Sequence, residues 1–479
     1  MGEKPHAIMI AFPYQGHITP FVNLALKFAS KGFTITFVHT HYIHHTISSS
    51  NDHTKTSLQG TDFFAQARES GLDIRYTTIS DGFPLEFDRA LHIKEFWDAM
   101  LSDFPGRVDE FIGDMLKQPG YDGVSFLIAD TFYSWPATIA FKYNLISVSF
   151  WTQPAAVFSV NYHLDLLIEN GHFPLKDNIN EEIIYIPGVG SINTRDLMPY
   201  LKEDEPAKFV QKVIFQAFNE VKKADFILFN TIQELETQTL SALNQKQPTY
   251  SVGPVNFFKD LTKNSVSKSL RSESDCTKWL ESKPPGSVLY VSFGSHVKSS
   301  EQMIQEIAHG LVLSEANFIW VVRTDIADFL PDGFHDDVNG KGLMVPWCDQ
   351  VTVLSDPAVG GFLTHCGWNS VMESIWCGVR MICYPLYTDQ TMNRKLVVDD
   401  WKIGIDLCDG MATLMVDRIK VSEKIKMLLN DESDTSRGLK KEVERVNLVL
   451  RNALEKDGSS EKNFDQVVQD LKARLLAKN

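Results

Sequence analysis

Two residues stand where a proton could be moved. His17 closes the run Phe12-Pro13-Tyr14-Gln15-Gly16-His17, directly after an apolar stretch. An imidazole titrating near neutrality is the natural base for making a hydroxyl oxygen nucleophilic. Asp130 follows the apolar run 125–129, where it could bind the second ring nitrogen and steady the imidazolium. On residue type alone, both also read as helix caps. A second group lies between Trp347 and Gln390. There His365-Cys366-Gly367-Trp368-Asn369-Ser370 is a turn that opens a helix at about Asn369. Free backbone N–H groups and the positive end of the helix dipole make such a point an anion site, suited to a diphosphate. Glu373, one turn further on, could accept from two vicinal ribose hydroxyls. Trp347 offers a flat face to a base, and Asp389-Gln390 an acceptor and an amide to a sugar. This stretch has no lysine and one arginine, Arg380, which leaves the dipole and His365 to carry phosphate charge.

The elements that must hold these residues alternate. Residues 7–12, 19–31 and 34–39 read as strand, helix and strand, the helix entered through Pro20 and left at Gly32. Apolar runs at 125–129, 147–150 and 226–229 continue the series, with helices at 134–143 and from Glu234. Residues 251–276 are polar, rich in Ser and Lys, and read as a linker. A second series follows: strands 288–293, 318–322, 361–364 and 381–383, with Ser299 and Gln302 as a capping box for a helix reaching Leu313. The mixed-charge stretch from Ser436 reads as solvent-facing helices. Two doubly wound, parallel α/β units joined by a linker enclose a cleft, and ligands of such sheets bind beyond the carboxyl ends of the strands.

With 479 residues and 43% hydrophobic content, the chain is long enough for two or three domains. Its formal net charge of −15 offers no global attraction to nucleic acid or to an anionic membrane. The six cysteines show no spacing of a disulfide frame or zinc site, and the N-terminal apolar run is too short for a signal peptide or a membrane span. These features predict a cytoplasmic location and a monomer. His39, His41, His44 and His45 imitate a metal cluster, but their spacing matches no supported site, and the segment reads as an acceptor-side loop.

The 44-residue block from Trp347 to Gln390, with W-C-x-Q, A-V-G-G-F-L-T-H-C-G-W-N-S, E-S and a closing D-Q, resembles the signature of the plant secondary-product glycosyltransferases, the family 1 UDP-dependent glycosyltransferases. The resemblance extends over essentially the whole chain. It implies a GT-B architecture: two Rossmann-like domains, residues 1–250 for the acceptor and 277–455 for the UDP-sugar, with linker 251–276 and a C-terminal helix in 456–479 returning to the first domain. It implies a uracil stack on Trp347, ribose contacts from Gln350 and Glu373, and a diphosphate among Ser295, His365, Trp368, Asn369 and Ser370. Glucose would be held by Asp389, Gln390, Trp151 and Thr152, with His17 and Asp130 as the catalytic pair. The implied reaction is inverting transfer from UDP-glucose, without metal or cofactor, to a hydroxyl or carboxyl of a terpenoid, flavonoid or other phenolic. Asp349, Arg380 and Thr388 depart from the family pattern, the first two at usual prolines. Acceptor choice would lie in the loops at 40–72, 81–96 and 172–201. The competing readings are a sugar-nucleotide epimerase or hydrolase of the same architecture, and a non-catalytic UDP-sugar or terpenoid binder.

Overall fold

The computed structural model describes residues 4–50, 64–176, 180–258, 271–295, 300–338, 340–409 and 416–478. Its first unit contains β1 (His6–Ile10), β2 (Thr34–Thr40), β3 (Ile74–Ile79), β4 (Val124–Asp130), β5 (Ile146–Trp151), the small antiparallel pair β6 (Glu182–Ile183) and β7 (Ile192–Asn193), β8 (Phe226–Phe229) and β9 (Thr249–Ser251). Seven of these form a parallel sheet in the order β3-β2-β1-β4-β5-β8-β9. The second unit has β10 (Val288–Ser292), β11 (Asn317–Val321), β12 (Gly342–Val345), β13 (Val359–Thr364), β14 (Met381–Cys383) and β15 (Gly404–Asp406), parallel in the order β12-β11-β10-β13-β14-β15. β1, β5, β10 and β13 are buried along their whole length, as strands covered on both faces must be. The pattern missed β3, β9, β12 and β15, which are short or mixed in polarity; Ile-Arg-Tyr-Thr-Thr-Ile and Gly-Ile-Asp carry little apolar signal.

Several elements differ from the expectation. The first helix runs Gln15–Ser30, beginning ahead of the expected Thr19, so His17 lies in its first turn and Pro20 inside it. Pro20 has no N–H to give the carbonyl of Gly16, and that oxygen accepts instead from Asn369 Nδ2 of the second unit at 2.9 Å. The histidine-rich run is not a loop. Residues His41–Ser50 are helical, and Ile43 and Ile47, one turn apart, are buried. Ser300, not Ser299, caps the helix Glu301–Ser314, accepting from Met303 N at 3.2 Å; Ser299 lies outside the described residues. The helices Asp434–Ala453 and Ser459–Lys478 are amphipathic rather than wholly solvent-facing. Leu439, Val443, Val446 and Leu450 form a buried stripe on the first, at helical spacing.

The last helix lies on the first unit. Phe464 meets Phe28 at 4.8 Å between ring centroids, Asn463 Nδ2 donates to Ser251 O at 3.0 Å, and Val467 and Leu471 are fully buried. Residues at the start of the polar segment also belong to this core: Val252, Val255, Phe257 and Phe258 are buried within it. Lys27 is 1% exposed; its ammonium pairs with Glu461 and lies 4.3 Å from the centre of the Phe258 ring. A buried ion that loses its partner costs about 3–5 kcal/mol, whereas replacing both ions by apolar groups is often neutral. Glu461→Ala should therefore lower the urea midpoint by an amount equivalent to ~3 kcal/mol, and Lys27→Met with Glu461→Leu should recover most of it. Equal losses in the single and double variants would show that the charge is not what the helix holds.

Candidate active site

The site is built at the carboxyl ends of both sheets, where parallel strands hand the chain to loops. His17 follows β1, and Asp130 is the last residue of β4, its neighbour in the sheet. His17 Nδ1 and Asp130 Oδ2 are 2.7 Å apart, both side chains being nearly inaccessible. With Nδ1 engaged by the carboxylate, Nε2 is left as the acceptor. Asp130 Oδ1 accepts from Phe132 N at 3.0 Å, which fixes the carboxylate, and Thr152 Oγ1, just beyond β5, lies 3.2 Å from His17 Nδ1. Phe12 and Phe132 close around the imidazole with ring centroids 5.7 and 4.9 Å away.

Facing this pair is the N-terminus of the helix Trp368–Cys377. Gly367 is its N-cap and supplies no side chain, and the first helical bond runs from Val371 N to Gly367 O at 3.0 Å. The N–H groups of Trp368, Asn369 and Ser370 therefore precede the ladder, as an anion site requires. His365 packs against two glycines: a Cβ on Gly294 would fall 2.6 Å, and one on Gly367 2.5 Å, from its Nε2. Burial pushes the imidazole down to about 4, so His365 is neutral near pH 7 and does not itself carry the charge that the sequence left to it. Ser295 stands in the turn after β10, and Trp347 two residues beyond β12. Gln350 Nε2 donates to Glu373 Oε2 at 2.7 Å and to Ser370 Oγ at 3.0 Å, joining three of the expected donor residues. Burial raises Glu373 to about 7.

Asp389 lies close enough to His17 for the imidazole to act electrostatically on it, although burial still holds the carboxyl above its usual range. Its oxygens accept from Thr388 Oγ1 at 2.9 Å and Asn393 Nδ2 at 2.7 Å. Gln390 Oε1 accepts from the N–H groups of Leu386 and Tyr387, both at 2.9 Å, so the amide nitrogen is what it can offer a ligand.

Residues 196–436 match the family model for UDP-glucoronosyl and UDP-glucosyl transferases. UDP-glycosyltransferase 86A1 of Arabidopsis thaliana is 51% identical over 99% of this chain and 96% of its own length. The chain belongs to the plant UDP-glycosyltransferases. A 7-deoxyloganetin glucosyltransferase of Gardenia jasminoides is 34% identical, with 98% of each chain covered. Among solved structures, Phytolacca americana UGT2 complexed with UDP-2fluoro-glucose and pterostilbene is 25% identical with a TM-score of 0.76, covering 98% of this chain and 100% of that one. The protein is thus a glycosyltransferase of GT-B architecture, using a UDP-sugar as donor. Among the described residues, no helix is long and apolar enough to cross a membrane.

Within this UDP-glycosyltransferase, two expected contacts take another form. The ring of Trp151 is 1% exposed, packed against Phe158 and Phe218, with its indole N–H spent on Pro154 O at 2.9 Å; it supports the cleft floor rather than lining it. Trp368 likewise turns its side chain away from the helix start and donates Nε1 to Asn230 O at 2.8 Å, which leaves its backbone N–H as the group available there. The departures from the family pattern are locally satisfied. Asp349 caps the helix Gln350–Leu354 through Thr352 N at 3.1 Å. Arg380 is buried, donates to Gly360 O at 3.0 Å and to Ser436 O at 3.4 Å, and pairs with Asp431 at 2.9 Å, tying the sheet to the helix Asp434–Ala453 and the turn before it. Thr388 holds a left-handed backbone, φ 55°, and spends its hydroxyl on Asp389. For a β-branched residue that conformation costs about 1–3 kcal/mol.

Two of the residues that sequence reasoning passed over also stand at strand ends. Asn230 follows β8, and Arg323 lies just past β11, bound to Asp325 at 3.0 and 3.1 Å and to Gly294 O at 2.9 Å. Asn393 Nδ2 reaches Cys366 O at 2.8 Å as well as Asp389. Glu236 is buried and caps the helix Ala155–Tyr162 from a distance, accepting from Ala155 N at 3.0 Å and Ala156 N at 2.8 Å. Trp368→Phe should leave the Asn230 carbonyl unsatisfied and open a small cavity where the indole's second ring stood. The expected result is a loss of about 1–3 kcal/mol in chemical denaturation; an unchanged midpoint would show that water replaces the indole.

Proposed function

We propose that this enzyme transfers glucose from UDP-glucose to a hydroxyl or carboxyl group of a small lipophilic acceptor in one inverting displacement. The observation that carries the reading is the buried His17–Asp130 pair facing an uncapped helix N-terminus across one cleft. His17 Nε2 takes the acceptor proton as the oxygen attacks the anomeric carbon. Asp130 stabilises the imidazolium, and the departing diphosphate finds the N–H groups of Trp368, Asn369 and Ser370. Attack from the side opposite UDP inverts the centre. Gln350 and Glu373 take the ribose, Trp347 the uracil, Ser295 the phosphate edge, and Asp389, Gln390 and Thr152 the sugar. An acceptor of terpenoid or phenolic type is supported by the relative that glucosylates 7-deoxyloganetin and by the pterostilbene bound in the Phytolacca structure. The first unit offers apolar and aromatic walls near the base. Phe12 stacks on Trp97 at 4.6 Å, and Phe83 on Phe87 at 4.2 Å. A monomer in the cytoplasm, working without metal or other cofactor, completes the reading.

Turnover of UDP-glucose with a panel of terpenoid, flavonoid and carboxylic acid acceptors, followed by mass spectrometry, tests it. His17→Ala should reduce kcat by roughly 10²–10⁴-fold for alcohols and much less for acids, which are already ionised. UDP-glucose consumed without glucosylated product would favour a hydrolase or epimerase, and binding without consumption a carrier.

Glu373 supplies a second test. Its carboxyl is raised to about 7, so the ionised form that accepts from both ribose hydroxyls grows as pH rises through that value. Uridine affinity measured by calorimetry should increase from about pH 6 to about pH 8, and Glu373→Gln should flatten the profile. Uridine avoids the titration of a phosphate. A flat wild-type profile would remove Glu373 from the ribose site.

A further inference from the structure

Among the described residues, His365 is neutral and Arg323 is engaged by Asp325, which leaves the charge of the departing diphosphate incompletely matched. The linker brings a further cation. Ser274 N donates to Trp347 O at 2.8 Å, which lays the chain alongside the expected uracil platform. Three residues earlier, Arg271 places its guanidinium carbon 5.4 Å from the centre of the Trp347 ring, and Nη2 donates to Ser295 O at 3.3 Å. Arg271 is half-buried and within electrostatic reach of Arg323, so two cations converge behind the turn Gly294-Ser295. Asp325, which pairs with Arg323 and also acts on Arg271, offsets part of the repulsion between the two guanidiniums, and a ligand anion beside them would relieve more of it. With the chain as a whole at −15, attraction for a nucleotide has to be local.

We propose that Arg271 is a donor-binding residue, its guanidinium the counter-charge for the diphosphate of the UDP-sugar. This rests on the donor site assigned above. The guanidinium covers the indole until the base arrives. Uracil then either takes the opposite face of Trp347 or displaces Arg271 toward the phosphates, and both routes leave the cation beside the nucleotide. The residue lies outside the signature block, and it acts on the donor although it belongs to the segment between the units.

Calorimetric titration of the full chain with UDP and with uridine, for the wild type, Arg271→Leu and Arg271→Lys, distinguishes the contributions. Arg271→Leu should weaken UDP ~10-fold, as for a lost charge-assisted contact, while uridine changes less than about 2-fold. Arg271→Lys should restore most of the UDP affinity, and the salt dependence of UDP binding should diminish in Arg271→Leu. Matching thermal melts of the three proteins establish that the fold is intact. Equal weakening of UDP and uridine would make Arg271 a prop for the indole and overturn the assignment, as would unchanged UDP affinity. Wild-type protein that binds neither ligand would instead fail the donor site as a whole, and the role of Arg271 with it.

Discussion

Asn230 is the point at which the two units are made one. Its N–H donates to Trp151 O at 2.9 Å, its carbonyl accepts from Trp368 Nε1 at 2.8 Å, and its Oδ1 accepts from Val255 N at 2.9 Å. One residue at a strand end thus holds the floor beside the base, the start of the helix that faces it and the entry to the linker. The chain passes so close that a Cβ on Gly253 would lie 2.5 Å from the Asn230 side chain. Each of these bonds has a buried backbone group on at least one side, and leaving such a group unsatisfied is costly. Other crossings reinforce them: Phe257 stacks on Trp376 at 4.5 Å, Thr391 Oγ1 donates to Leu197 O at 3.1 Å, and Arg394 pairs with Asp196.

Burial governs the ionisation of the cleft. Burial moves His365 down and moves Glu373 and Asp389 up, each toward its neutral form. An anionic, hydroxyl-rich ligand reverses these pressures by bringing charge and donors with it. Low polarity also strengthens each hydrogen bond once the ligand has displaced water, which is how fixed dipoles become effective at a leaving group. Thr388, Asn393 and the backbone around Gln390 hold Asp389 and Gln390 in place.

Strands buried on both faces were legible as apolar runs, and β8 and β14 coincide with the residues read for them. Because parallel sheets present their loops at one end, the places where site residues had to stand were legible too. Edge strands were not, since their polarity is mixed and their pairing is decided by the neighbouring strand. The position of the first helix was misjudged because Pro20 reads as a first-turn residue, and only the second unit explains why a proline is tolerated further in. Direction of side chains was likewise hidden. Trp151 and Trp368 stand where the pattern put them, yet both spend their indoles on backbone carbonyls. Asn230 and Arg271 escaped notice for a related reason, as their partners are distant in sequence.

The carbonyl of Gly16 shows how a local defect couples domains. Alanine in place of Pro20 would return an amide to the helix and satisfy that oxygen internally, which ordinary helix engineering would count as an improvement. Asn369 would then share that oxygen with a helical N–H and bond it less strongly, its own Oδ1 being buried without a hydrogen-bond partner. Such a change would make the first unit more robust while loosening its grip on the second. Thermostability and closure would move in opposite directions, and a screen that selected for melting temperature alone would drift toward an enzyme that stands open.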